Sequence, residues 1–193
     1  IHGHVQYGKP KLALNLYEEM QEHGVDSSSF TLVALLKAFS QLKDIDCGRE
    51  IHSQIAHKGF DREDSVGSML VNLYAKCGSL LAHMLFEQLP IHSVIPWTSL
   101  ITGYADNGFI EEVLSLLEAM KGEGIAPVSI TFLCIFRACG YERGALGTGQ
   151  EMHSLDLKMG LEMDESVGTS LIDMYSKCGS FLEAWVVLSQ LPN

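Results

Sequence analysis

The chain has 193 residues, 47% of them hydrophobic and 19% charged, too apolar and too sparsely charged for a disordered segment. At about one domain per 150 residues it is one large domain, two small ones or an open array. Thirteen Lys and Arg against 24 Asp and Glu give a net charge of -11, which excludes average long-range attraction to a phosphate backbone and confines any nucleic-acid contact to local features.

In chain order, Ile1, Gly3, Gly8, Leu14, Leu16, Met20 and Gly24 open the sequence on a pair of short helices broken at glycine. Phe30, Val33, Leu36 and Lys37 with Ala38 then mark a helix, Cys47-Gly48 a turn, and Ile51, Ile55 and Ala56 a second helix ending at Gly59. The segment from Val94 to Val128 has the same grammar. Trp97, Leu100, Ile101 and Tyr104 fall at i, i+3, i+4 and i+7, and Asn107-Gly108 should stop that helix because glycine accepts the left-handed conformation. Ile110, Val113, Leu114, Leu117 and Met120 stripe the next helix, Gly122-Glu-Gly124 ends it, and Pro127 keeps the following one from starting early. The longest apolar stretch, around Thr131 from Ile130 to Phe136, is far short of the roughly 18 to 20 residues that cross a bilayer. No strand pattern competes.

The chain also repeats itself. A shift of about 100 residues lays Gly48 to Ser53 (GREIHS) on Gly149 to Ser154 (GQEMHS), and Tyr74 to Ser79 (YAKCGS) on Tyr175 to Ser180 (YSKCGS). Ile1, Gly3, Gly8, Leu14, Leu16, Met20 and Gly24 recur as Ile101, Gly103, Gly108, Leu114, Leu116, Met120 and Gly124. Inside each copy runs a finer period of about 30 to 36 residues, two short helices per unit. One pair cannot bury its apolar stripe alone, so pairs must stack into an all-α solenoid. With Ile1 inside a first helix and Asn193 just past Leu191-Pro192, the chain reads as a piece of a longer array.

The segments Val94 to Tyr104 (VIPWTSLITGY) and Val66 to Ser79 (VGSMLVNLYAKCGS) resemble the plant pentatricopeptide repeat family, over essentially the whole chain. Tetratricopeptide repeats share the helix-pair plan, but their WxxLG opening is missing. Alternating lengths resemble the PLS subgroup: a partial P-type unit over 1–28, L-type 29–63, S-type 64–93, P-type 94–128, L-type 129–164 and S-type 165–193. The resemblance implies a right-handed α-solenoid superhelix that binds single-stranded RNA, each unit presenting side chains to about one base. It further implies an organelle, mitochondrion or chloroplast, and an RNA-processing or RNA-editing factor.

Two positions per unit carry the implied recognition. The first is the polar residue after the aromatic or glycine that opens the first helix, here Ser68, Thr98 and Thr169, whose hydroxyls can donate or accept at a base edge. The second is the last residue before the next unit, here Ser93 and Val128. Ser68 with Ser93 is compatible with a purine, whereas Thr98 with Val128 lacks a second polar group, and the partner of Thr169 lies beyond Asn193. In the L-type units the pairs are Val33 with Glu63 and Leu133 with Asp164, whose apolar first residues cannot hydrogen-bond a base edge. Ile95, two places into its repeat, either wedges against the base or packs on the preceding unit; an apolar base contact contributes on the order of 1 to 3 kcal/mol. Two or three readers and an acidic chain predict roughly micromolar to millimolar binding.

No other chemistry competes. The closest histidine pairs are His2 with His4 and His52 with His57, but His52 and His153 recur at one register position, as packing residues do. Cys77 and Cys178 precede a turn glycine in both copies, and Cys134 and Cys139 fall on different helix faces. Five cysteines without CxxC spacing give neither a disulfide framework nor a zinc site, and suit a reducing compartment. The acidic clusters Asp61 to Asp64 and Glu162 to Glu165 sit where charge favours the N-terminus of the next helix. The HxE and CxxC motifs of a zinc deaminase, a phosphate loop and a serine elbow are all missing from this stretch. The expectation is a non-catalytic segment without metal, cofactor, membrane or small-molecule substrate. Its partner is single-stranded RNA and, through the L-type units, an RNA-editing protein. The alternatives are a protein-interaction scaffold and a degenerate remnant, the latter suggested by Leu81 to Met84 in an S-type unit one residue short.

Overall fold

The computed structural model describes residues 1–60, 63–142, 144–160 and 164–191, and within them the chain is entirely helical. The helices come in pairs: α1 (His2–Gln6) with α2 (Pro10–Glu22), α3 (Ser29–Leu42) with α4 (Ile45–Lys58), α5 (Asp64–Lys76) with α6 (Leu81–Glu87). They continue as α7 (Val94–Asp106) with α8 (Ile110–Gly122), α9 (Ser129–Tyr141) with α10 (Leu146–Met159), and α11 (Glu165–Lys177) with α12 (Phe181–Gln190). None is long and apolar enough to cross a membrane. The chain divides into two compact units, Ile1–Gly103 and Tyr104–Asn193.

In the first unit α3 is the central element, packed on α1, α2, α4 and α5. Helix boundaries follow local chemistry. Ser28 caps α3 by accepting from the Thr31 N–H at 3.3 Å, and Asp44 caps α4 by accepting from Cys47 N–H at 3.1 Å. The turn between them therefore falls at Lys43-Asp44, where Lys43 adopts φ 54°, and not at Cys47-Gly48. Gly48 lies inside α4 for a packing reason: a Cβ there would come within 2.6 Å of Leu73 Cδ2 on α5. The stripe expected on α3 also shifts. Leu32, Leu35, Leu36 and Phe39 are buried while Phe30 is exposed, because a helix with neighbours on several sides buries a face wider than one i, i+3 row.

The chain's expected glycine helix stops are present. Gly59 closes α4 at φ 73°, Gly108 follows α7 at φ 79° and Gly124 follows α8 at φ 75°, the left-handed geometry that an L side chain resists. α6 has seven residues against ten in its later counterpart α12, so the shortened segment after Gly78 costs the helix most of a turn.

The second unit repeats the plan. α9 packs on α8, α10 and α11, and α11 on α12, around Val113, Leu117, Phe132, Ile135, Val167 and Leu171. Gly149 meets Met174 Sδ as Gly48 meets Leu73, at 2.6 Å from a hypothetical Cβ. The recurrent histidines have the same structural explanation in both units. His52 Nδ1 shares a hydrogen bond with Tyr74 Oη at 3.0 Å, and His153 Nδ1 with Tyr175 Oη at 2.9 Å, joining the second helix of one pair to the first helix of the next.

Candidate nucleic-acid interface

The candidate readers are arranged by the helix starts. Val33, Ser68, Thr98, Leu133 and Thr169 are each the fifth residue of a first helix, in α3, α5, α7, α9 and α11. Glu63, Ser93, Val128 and Asp164 each immediately precede the next first helix. The residue expected to close a base contact thus stands where a helix N-terminus also asks for a side-chain acceptor. Ser68, Ser93, Ile95 and Thr98 lie in the first unit, Val128 and Thr169 in the second.

Ser68 and Thr98 are half-buried, Ser93 and Thr169 exposed. Thr98 Oγ1 donates to Val94 O at 2.7 Å, and Thr169 Oγ1 to Glu165 O at 2.8 Å. Each threonine has therefore committed its one proton to its own helix and offers a base only lone pairs. Val128 is 37% exposed and has no acceptor of its own; instead its N–H donates to Thr131 Oγ1 at 3.3 Å. Asp164 is engaged with its own helix start, accepting from Ser166 N–H at 2.9 Å and Val167 N–H at 3.3 Å. The Ser129 hydroxyl, followed by those N–H groups, holds its carboxyl below the usual range.

Ile95 is 67% exposed, so it is not a packing residue of the preceding pair. Phe30 and Ile130, also second residues of first helices, are exposed as well. Sequence reasoning missed these two, although the same position in the repeat would have marked them.

Further along the first helices come polar and charged groups. Ser40 Oγ donates to Asn72 Oδ1 at 2.8 Å across α3 and α5. In the second unit Arg137 bridges to Asp106 at 2.6 Å. Lys177 bridges to Asp173 at 2.6 Å and lies 4.3 Å from the centre of the Tyr141 ring. The bond to Asp173 holds the Lys177 ammonium above its usual pKa. The first helices carry four basic and four acidic residues, whereas the second helices carry five basic and twelve acidic. The negative excess is thus absent from the helices that bear the candidate readers.

Among the described residues no three His, Cys, Asp or Glu side chains converge as a metal site. Burial pushes the Cys139 thiol up to about 11, which leaves it protonated and unreactive at neutral pH.

The model of the pentatricopeptide repeat family matches residues 1–25, 95–125 and 169–192. The pentatricopeptide repeat-containing protein At1g11290, chloroplastic, of Arabidopsis thaliana is 35% identical over 179 residues, 92% of this chain and 22% of its own length. Another from the same plant, At4g33990, is 37% identical over 188 residues, 96% of this chain and 23% of its own. The chain therefore spans about a quarter of the length of these relatives. Two solved structures share its fold. PPR10 from maize has a TM-score of 0.68 at 21% identity, covering 93% of this chain and 27% of that one. PPR10 in complex with an 18-nt psaJ RNA element has a TM-score of 0.71 at 23% identity, covering 98% and 29%. The shared fold is an α-solenoid of stacked helix pairs.

Proposed function

Because this chain is a pentatricopeptide repeat protein of plant type, we propose that it is a single-stranded RNA-binding segment of an organellar RNA-processing or RNA-editing factor. It is non-catalytic in itself. The helix pairs are P-, L- and S-type units with boundaries at 28, 63, 93, 128 and 164. Base selection rests on Ser68 with Ser93 and on Thr98, Val128 ending that repeat without a second polar group, Ile95 meets a base through its exposed side chain, and Thr169 holds the same position in its own repeat. The chloroplast naming of some relatives supports an organellar setting, and the RNA complex named for a protein of the same fold supports the partner.

The observation that carries the proposal is the distribution of charge and side-chain type over the helices. Among the first helices, α5, α7 and α11 carry hydroxyls at the fifth residue, α3, α7 and α9 carry exposed apolar side chains at the second, and the charge over all of them sums to zero. A strand can lie along such a surface without the repulsion that the net charge of -11 suggests. With few readers, binding is weak, in the roughly micromolar to millimolar range.

Fluorescence-anisotropy titration of purine-rich and pyrimidine-rich single-stranded RNA tests this, comparing the intact chain with Ser68→Ala plus Thr98→Ala. Purine-favouring binding that the double substitution weakens is expected. No binding at millimolar protein, from a chain that melts cooperatively, would refute it.

A further inference from the structure

The connection from α6 to α7 follows the shortest of the second helices. α6 is short and ends at Glu87, and the chain must reach Val94 through Pro90, which has no N–H to donate, and the exposed Ile91. Ser93 stands at the end of this stretch. Left to itself such a connection would let a closing residue wander by more than the tolerance of a hydrogen bond to a base.

Two attachments prevent that. At one end Leu89 lies against Gly67, where a Cβ would come within 2.5 Å of Leu89 Cδ2; Gly67 is the residue before Ser68. At the other end the His92 ring stacks on Phe86 with centroids 4.2 Å apart and planes 17° apart. Its Nε2–H donates to Phe86 O at 3.0 Å, a carbonyl that also accepts from Leu89 N–H at 3.1 Å, so both ends of the connection are tied to the last turn of α6. Trp97, in the first turn of α7, closes the cluster edge-on, 4.5 Å from Phe86 and 6.1 Å from His92. Phe86 and Trp97 are buried. The exposed Ser93 is therefore flanked by a clamped ring on one side and a helix start on the other.

We propose that His92 is a positioning residue for base selection: stacked on Phe86, which Trp97 meets edge-on, it fixes Ser93 in register with Ser68. This rests on the proposal that Ser68 and Ser93 meet a base. His92 itself touches no RNA, and its effect passes through the backbone of one residue. The stack supplies rigidity, and the bond to Phe86 O sets the ring's direction.

The experiment measures the ratio of dissociation constants for pyrimidine-rich and purine-rich single-stranded RNA, using the intact chain and His92→Ala, His92→Phe, Ser93→Ala and the His92→Ala plus Ser93→Ala double variant. His92→Ala lowers the ratio about three- to fivefold, the loss of one hydrogen bond, to the value of Ser93→Ala. The double variant falls no further, because both changes remove one interaction. His92→Phe keeps the stack and retains most of the ratio. If His92→Ala unfolds, His92→Gln, which keeps a donor for Phe86 O and loses the ring, carries the same expectation. A merely structural role weakens both RNAs equally and leaves the ratio unchanged, which overturns the proposal, as does additivity with Ser93→Ala. If Ser93→Ala alone leaves the ratio unchanged, base reading at this unit fails first and the positioning role falls with it.

Discussion

A hydroxyl that has given its proton to its own helix can meet a base only as an acceptor. Thr98 and Thr169 are in that state, bonded to Val94 O and Glu165 O, so each can receive a proton from a base amino or imino group but offers nothing to a carbonyl or ring nitrogen. The sequence told that hydroxyls stood at these positions; it could not tell which way they pointed, because the answer depends on the backbone carbonyl one turn earlier. The closing residues show the same division of labour. Asp164 spends its carboxylate on Ser129 and on the N–H groups of Ser166 and Val167. Those donors favour the ionised form, so the folded-state pKa lies below the unfolded one, near 3.9 for an aspartate. Its contribution to stability is then fully present above that value and is lost as pH falls through the folded pKa. Thermal melts followed by circular dichroism from pH 6 to pH 3 should show the native chain losing more melting temperature than Asp164→Asn, whose amide oxygen can still cap the helix but does not titrate. Parallel losses would mean that the carboxylate is idle.

At the scale of the element, glycine decides how closely helices meet. Gly103 lies where α7 crosses α5: a Cβ would overlap that of Ala75 and lie 2.5 Å from its carbonyl carbon. Backbone cannot yield as a flexible side chain can, so Gly103→Ala should cost at least about 3 kcal/mol, the upper part of the range for overpacking. Gly122, at the end of α8, has nothing within 4 Å of an added Cβ; there alanine removes freedom from the unfolded chain and should stabilise by about 0.4 to 1 kcal/mol. Urea denaturation of the two variants checks both signs, and equal effects would refute the packing explanation. The same residue type also limited what could be read from sequence. Gly59 and Gly108 were recognisable as stops, being glycines at the end of a periodic stretch. Gly48 was not recognisable as a packing glycine, because its reason is Leu73, a residue on another helix. Nor was the His92 cluster, whose three rings lie on a helix end, a connection and the next helix start.

Over the whole chain, the repeat was legible because near-identical signatures recur in register, whereas the net charge misleads when read as an average. A count over all residues mixes second helices, with twelve acidic against five basic residues, into first helices where the two signs balance. For binding, the consequence lies in the counterions that a strand can release. The basic residues on the first helices are Lys37, Lys76, Arg137 and Lys177, and Arg137 and Lys177 are already bridged to Asp106 and Asp173. Each phosphate neutralised on a single strand contributes about 0.7 to the slope of log affinity against log salt. Four contacts would give a slope near -3; because bridges such as those of Arg137 and Lys177 compete for these cations, a slope shallower than that is expected. Anisotropy titrations across a salt series measure the slope directly. A slope steeper than about -3 would require phosphate contacts beyond those four side chains, on second helices or connections such as those bearing Lys11 and Lys43. It would move the strand off the first helices, whereas a shallow slope with base preference intact keeps it on them and makes hydroxyl and apolar contacts the source of the affinity.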